Sequence, residues 1–201
     1  YLQSASILLE RYWQLTGESF ERPFARSTLD ARCEDKEAGL YFFLAAYELY
    51  KITGESRYRE WAEFSADLIL TYVYFWNTGF RPGSTCDNYG FVSTGWPGVS
   101  VQNHHLDVYF PAYELSDLGR RIGNKRYERL GRMVFDAWSH GICRKPGEWR
   151  HQIPGEQGEQ FYQTNYGIDQ SYWRGGYHDW NPSWIVSLVL EAGLKFKYGD
   201  E

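Results

Sequence analysis

The residues best suited to chemistry fall together near the middle of the chain. Positions 95–113 read Gly-Trp-Pro-Gly-Val-Ser-Val-Gln-Asn-His-His-Leu-Asp-Val-Tyr-Phe-Pro-Ala-Tyr, and Asn103, His104, His105 and Asp107 sit at the centre. The stretch opens as a loop punctuated by glycine and proline and becomes an apolar run at helical spacing. Titratable groups at the mouth of an apolar helix suit acid–base work, or the binding of a hydroxyl-rich ligand. Successive helical positions point about 100° apart, so one of His104 and His105 is expected to face a cleft.

Carboxyl groups that could share the place are Glu37, Asp107, Asp169 and Asp179, with Asp87 read as a loop turn former. Asp35 and Glu34 read as solvated first-turn charges. Glu48, Glu114 and Glu191 lie mid-helix, the first two at equivalent repeat positions. They read as structural carboxylates bonded to a neighbouring helix. A second dense stretch, positions 173–180, reads Trp-Arg-Gly-Gly-Tyr-His-Asp-Trp. Three metal ligands at suitable spacing are not evident, so no metal or cofactor is expected.

Composition limits the partners. The chain has 201 residues, enough for one domain with a sizeable core, and 43% hydrophobic and 23% charged residues are ordinary. Aromatic residues make up 19%, and ring faces in such number fill helix contacts and can also stack on sugars. A net charge of −5 argues against nucleic acid, whose binding rests on basic patches. No apolar run reaches the roughly 18 residues of a membrane span, so no membrane partner is expected. No signal-peptide pattern is visible, and the start on Tyr1 reads as the inside of a longer protein. Cys33, Cys86 and Cys143 lack metal-type spacing and cannot all pair, which argues against a disulfide framework.

These residues must be held by helices. Apolar periodicity predicts helices over 1–15, 20–31, 35–52, 57–76, 103–121, 126–140 and 181–198, with long loops at 77–102 and 141–180. The fold class expected is all-α. Thr-Gly-Glu-Ser occurs at 16–19 and again at 53–56, and Ile-Gly-Asn-Lys at 122–125. Ala-Tyr-Glu-Leu precedes the turn at 46–49 and at 112–115, and Arg-Tyr follows it at 57–58 and 126–127. Repeated helix–turn–helix units imply a solenoid or a ring of hairpins. Alternating direction sets the short turns at one end and the long loops at the other. The apolar helices 35–52, 103–121 and 181–198 then form an inner layer, and the charged helices 57–76 and 126–140 an outer one. Long loops gathered over helix N-termini suggest a binding face.

The Thr-Gly-Glu-Ser turns with following Arg-Tyr, the Gly95-Trp96-Pro97-Gly98 loop leading to Asp107, and the Trp180-Asn181-Pro182-Ser183-Trp184 helix entry resemble the six-hairpin, (α/α)6-toroid carbohydrate-active enzymes. The resemblance spans positions 1–197 in architecture. It implies antiparallel helical hairpins forming all or part of an (α/α)6 toroid. Seven helices are about half of twelve, so the chain is part of a larger toroid or an incomplete ring, and the missing part is a candidate partner. The implied activity is glycoside hydrolysis on an oligo- or polysaccharide, including uronic-acid sugars. One carboxyl of Asp107, Asp169, Asp179 or Glu37 would act as acid and another as base, with His104 or His105 beside them. Tyr89, Trp96, Asn103, Tyr109, Trp173, Arg174, Tyr177, His178 and Trp180 are the substrate-binding set. A polysaccharide lyase, with Asn103, His104 or His105 and Tyr109 handling the uronate and proton, is the alternative. A non-enzymatic helical-repeat binding module is the other.

Overall fold

The computed structural model describes residues 1–17, 34–100, 105–163 and 175–199. The expected helix over 20–31 lies outside them. The described residues are mostly helical: α1 (Leu2–Tyr12), α2 (Lys36–Thr53), α3 (Ser56–Leu70), the single turn α4 (Thr85–Asn88), α5 (Ala112–Ile122), α6 (Lys125–Trp138) and α7 (Ser183–Tyr198). The strands are the two-residue β1 (Gln160–Phe161) and β2 (Tyr177–His178), paired antiparallel. The chain forms two compact units, Tyr1–Tyr72 with Val99–Asn103, and Val73–Gly98 with His104–Glu201.

The first unit is built on the α2–α3 hairpin. Gly54 ends α2 with φ 71°, the left-handed cap expected where only glycine avoids a Cβ penalty. Thr53 Oγ1 then accepts the Glu55 N–H at 3.2 Å, which fixes the turn. α2 buries Leu40, Phe42, Phe43, Ala46, Tyr47 and Leu49, and α3 buries Tyr58, Ala62, Ala66, Ile69 and Leu70. Trp13, in a π-type turn that extends α1, stacks on Trp61 at 5.2 Å and on Phe42 at 5.7 Å. Asp35 is not a solvated charge. It is 2% exposed, and its carboxylate accepts the Glu37 N–H at 2.6 Å as the N-cap of α2. Backbone pairing of Asp35 with Ser100, and of the Lys36 N–H with the Val99 carbonyl, draws this entry out of water.

The second unit contains the matching hairpin. Gly123 caps α5 at φ 75°, and the Asn124 side chain accepts the N–H groups of Arg126 and Tyr127 to start α6. The repeat is physical as well as textual. Arg57 lies over the Tyr58 ring at 4.6 Å and Arg126 over Tyr127 at 5.3 Å, and both tyrosines are buried. α7 packs on α5 and α6 through Phe196, which meets Tyr113 at 5.3 Å and Phe135 at 4.8 Å. Glu114 accepts Lys195 at 2.7 Å and holds α5 to α7, as its mid-helix position implied. Burial alone would lower the Lys195 pKa. Its bonds to Glu114 and Glu191 outweigh that and hold it above the ordinary range. Glu48, at the equivalent repeat position, instead pairs with Lys51 on an exposed surface.

Three expectations change. α3 stops at Leu70 rather than 76, because Val73 leaves the helix to bridge Pro97. The helix expected from 103 begins at Ala112. Pro111 lacks an N–H and would crowd the carbonyl four residues back, so it stands at the helix entry rather than inside. Residues 105–110 are extended or bent instead. Third, α7 is inner on one side only. Ile185 is its buried residue, while Leu190, Leu194 and Tyr198 are 60%, 48% and 56% exposed.

That unwound segment builds a narrow antiparallel rib. Val73 bridges Pro97, Gly98 bridges Leu106, Leu106 bridges Phe161, and Phe161 pairs with Tyr177. Beneath it lies an aromatic core. Phe91 stacks on Phe161 at 4.7 Å, and Trp96 and Trp149 close on the same ring at 4.9 and 5.2 Å. The loops 77–102 and 141–180 therefore meet, as a shared end required.

Helices α5 and α6 cross closely at two glycines. A Cβ on Gly131 would meet the Ala112 carbonyl and the Ser116 backbone, and one on Gly119 would meet the backbone of Glu128. Gly131→Ala should lower unfolding free energy by about 1–3 kcal/mol through overpacking. Gly123→Ala, where the space is open but φ is positive, should cost about 1–2 kcal/mol. Urea unfolding of both variants checks the order.

Candidate functional site

The rib decides which chemical groups meet. Side chains alternate faces along an extended strand, so Leu106, Phe161 and Tyr177 enter the aromatic core and their neighbours turn to the opposite face. His105 and Asp107 flank Leu106, and Gln160 and Tyr162 flank Phe161. His105 meets the Tyr162 ring at 6.1 Å, edge to face. The Tyr162 hydroxyl donates to Gln160 Oε1 at 2.5 Å. His105, Asp107 and Tyr162 are all buried. Asp107 Oδ1 accepts the Tyr109 N–H at 3.0 Å, so one oxygen forms the turn that leads into Pro111. β2 continues the same surface, because His178 stands opposite Gln160.

Beyond β1 and β2 the register shifts by one position, and the Glu159 N–H donates to the Trp180 carbonyl at 2.9 Å. Asp179 is partly balanced by Arg150, 3.9 Å away. His178 is exposed, and its Nδ1 accepts the Trp180 N–H at 3.2 Å.

The remaining expected residues divide clearly. Trp96 is fully buried under Phe91 and Phe161, and a ring without surface cannot stack on a sugar; it belongs to the core. Tyr177 is likewise buried. Its hydroxyl accepts the Gly158 N–H at 2.8 Å and shares a hydrogen bond with His151 Nε2 at 2.6 Å, so it pins the loop rather than presenting a ring. Burial pushes its pKa up. Tyr109 meets the Trp184 ring edge-on at 5.8 Å. Tyr89 lies over Trp149 at 4.4 Å and is 40% exposed. Glu37 sits in the first turn of α2, within the first unit. Asn103, His104, Asp169, Trp173 and Arg174 lie outside the described residues.

Several contributors escaped sequence reading: Arg150, His151, Glu159, Gln160 and Tyr162. The local feature is a doubled Gly-Glu-Gln at 155–157 and 158–160, running into Phe-Tyr-Gln. Its period is three rather than two, so it carries no strand alternation and the pairing shows only in the fold. Among the described residues no cluster of three His, Cys, Asp or Glu side chains suits a metal ion. Cys86 and Cys143 are free and buried, and burial pushes the Cys86 thiol up to about 12, which keeps it unreactive.

The loop that carries Trp149 and Arg150 is held by Glu148. Its carboxylate accepts the Arg144 N–H and guanidinium, each at 2.7 Å. The Arg144 side-chain bond, then its backbone N–H, hold the Glu148 pKa down to about 2. Comparison with family models, curated proteins and solved structures returns no match. The functional reading therefore stands on this geometry.

A carboxylate with a depressed folded pKa stabilises the fold above its ordinary value of 4.5, and that contribution disappears as pH falls towards 2. Glu148→Gln should therefore lower stability at neutral pH and flatten the loss between pH 4.5 and 2. Thermal melts across that range check the slope.

Proposed function

We infer that this chain is a carbohydrate-active enzyme that cleaves glycosidic bonds, and that its hairpins belong to an (α/α)6 toroid. The observation that carries the reading is the rib, which gathers His105, Asp107, Gln160 and Tyr162 on one face, with Glu159 and Asp179 adjoining the ends of its paired strands. Two carboxyls are the usual requirement for glycoside hydrolysis, about 5–5.5 Å apart in retaining enzymes and 6.5–9.5 Å in inverting ones. Asp107, which is buried, and Asp179 and Glu159, which adjoin the ends of β2 and β1, are the candidate carboxyls. One carboxyl protonates the glycosidic oxygen and the second activates water or attacks the sugar.

The ring architecture is supported by the two hairpins with the same turn and the same Arg-over-Tyr contact. The bare side of α7, with Leu190, Leu194 and Tyr198 outward, suits the packing of another hairpin of the same ring. The missing part of that ring is accordingly the proposed partner.

A lyase is the second reading, favoured by the His105–Tyr162 contact. There Asn103 would offset a uronate carboxylate while His105 and Tyr162, rather than Tyr109, handled the proton.

The test is turnover on a panel of neutral and uronate-containing oligosaccharides. Hydrolysis predicts reducing ends without ultraviolet absorbance. Elimination predicts an unsaturated, absorbing product. Asp107→Asn, Asp179→Asn and Glu159→Gln should each be measured, and loss of the working acid or base should lower kcat by about 10²–10⁴-fold. Full activity in all three removes the hydrolase assignment.

A further inference from the structure

Among the described residues, positions 143–156 make all of their backbone-to-backbone hydrogen bonds with one another. At the neck the Cys143 N–H donates to the Glu156 carbonyl, and the Gly155 N–H returns to the Cys143 carbonyl, both at 2.8 Å. Within the loop the Gly147 N–H donates to the His151 carbonyl at 2.7 Å. The His151 N–H closes the 148–151 turn on the Glu148 carbonyl at 3.0 Å. The Arg144–Glu148 pair and the Ile153 N–H on the Glu156 carboxylate complete the frame. A surface loop with joined ends, packed by its own side chains, is an Ω-loop.

Its attachments to the rest of the second unit are of another kind, for every one of them involves a side chain. The Trp149 ring seats among Tyr89, Phe91, Phe161 and Tyr177, nearest Tyr89 at 4.4 Å. His151 Nε2 shares a hydrogen bond with the Tyr177 hydroxyl at 2.6 Å, and the Tyr89 hydroxyl donates to the Gly147 carbonyl at 3.3 Å. Asn181 reaches Glu156 at 3.3 Å, and Arg150 lies 3.9 Å from Asp179. Residues 144–147 and 152–155 are exposed. Segments held by few buried contacts open at a lower free energy than the fold as a whole. Trp149 and His151 stand two positions apart on one closed turn, so neither leaves its seat without the other.

We propose that residues 143–156 form a hinged lid, which undocks from the aromatic core as one body about the Cys143–Glu156 neck. Trp149 is its plug, and the Tyr177 hydroxyl on His151 is its latch. The lid closes over the core-facing side of Phe161 and Tyr177, away from His105, Asp107 and Tyr162. Undocking uncovers the back of the rib and leaves intact the backbone pairing that sets its polar face. The device is independent of the carbohydrate reading.

The experiment is fluorine NMR of the full chain labelled with 5-fluorotryptophan, the Trp149 signal being assigned by its loss in Trp149→Phe. Relaxation dispersion should show Trp149 exchanging with a minor state on the microsecond-to-millisecond scale of lid motions. Trp96 and Trp138, buried in the same unit, should not share that exchange. The His151 ring should report the same rate as Trp149. Tyr177→Phe and Tyr89→Phe each remove one attachment and should raise the minor population about threefold to tenfold. The Gly147, His151 and Gly155 amides should stay as protected from hydrogen exchange in Tyr89→Phe as in the parent chain, because the frame does not open. Tyr89 is 40% exposed, so its variant keeps the test in hand if Tyr177→Phe does not fold. Three results overturn the proposal: no exchange at Trp149 in the parent chain and the folded variants, different rates at Trp149 and His151, or the same exchange at Trp96. Loss of amide protection in Tyr89→Phe also overturns it, since the loop then unfolds rather than swings.

Discussion

The backbone exchange between Leu106 and Phe161 is the contact on which the second unit depends. The Leu106 N–H donates to the Phe161 carbonyl at 2.8 Å, and the Phe161 N–H returns to Leu106 at 3.3 Å. Buried backbone groups must be paired, and here two loops that would otherwise lie unpaired satisfy each other. With Pro97–Gly98 on one side and Tyr177 on the other, the exchange joins residues far apart in the chain into one rib. Its alternation then separates chemistry from packing. Leu106, Phe161 and Tyr177 enter the core, and His105, Asp107, Gln160 and Tyr162 share the opposite face.

The aromatic abundance of the chain is divided by the same device. Phe91, Trp96, Trp149 and Phe161 form a nearly dry cluster that fixes the loops over the helices. Such ring pairs contribute about 0.5–1.5 kcal/mol each beyond their burial, enough to hold Trp149 in a disfavoured backbone region. Tyr89 and Trp180 are left at the margin, partly exposed. The loop between Cys143 and Glu156 is tied by backbone bonds at its neck and by the Glu148–Arg144 pair within it. Its exposed residues are therefore presented on a fixed frame.

Each unit repeats one helical hairpin, but the second carries the added rib. The Gly54 and Gly123 caps, the buried tyrosines and the arginines above them show one solution to reversing the chain used twice. α7 adds a third helix to the second hairpin and leaves an apolar face bare. A helix apolar all round is built for burial on more than one side, and the described residues cover one.

Local chemistry alone determined the all-α character, the hairpin turns, the repeat, and the convergence of the two long loops. Glycine caps, helical periodicity and Arg-Tyr pairs act over a few residues and are legible in order along the chain. Asp107 and His105 were legible as reactive types in a marked place. Their helical setting was misread, because Pro111 competes with a strong apolar period and only the pairing of Leu106 shows which wins. Trp96 and Tyr177 looked like ligand-facing rings, and nothing local separates a buried ring from an exposed one. Tertiary structure also decided the roles of Arg150, Glu159 and Tyr162. Tyr162 meets His105 through the backbone pairing of Leu106 with Phe161, more than fifty residues apart, and register set by such long-range pairing is encoded by no single stretch.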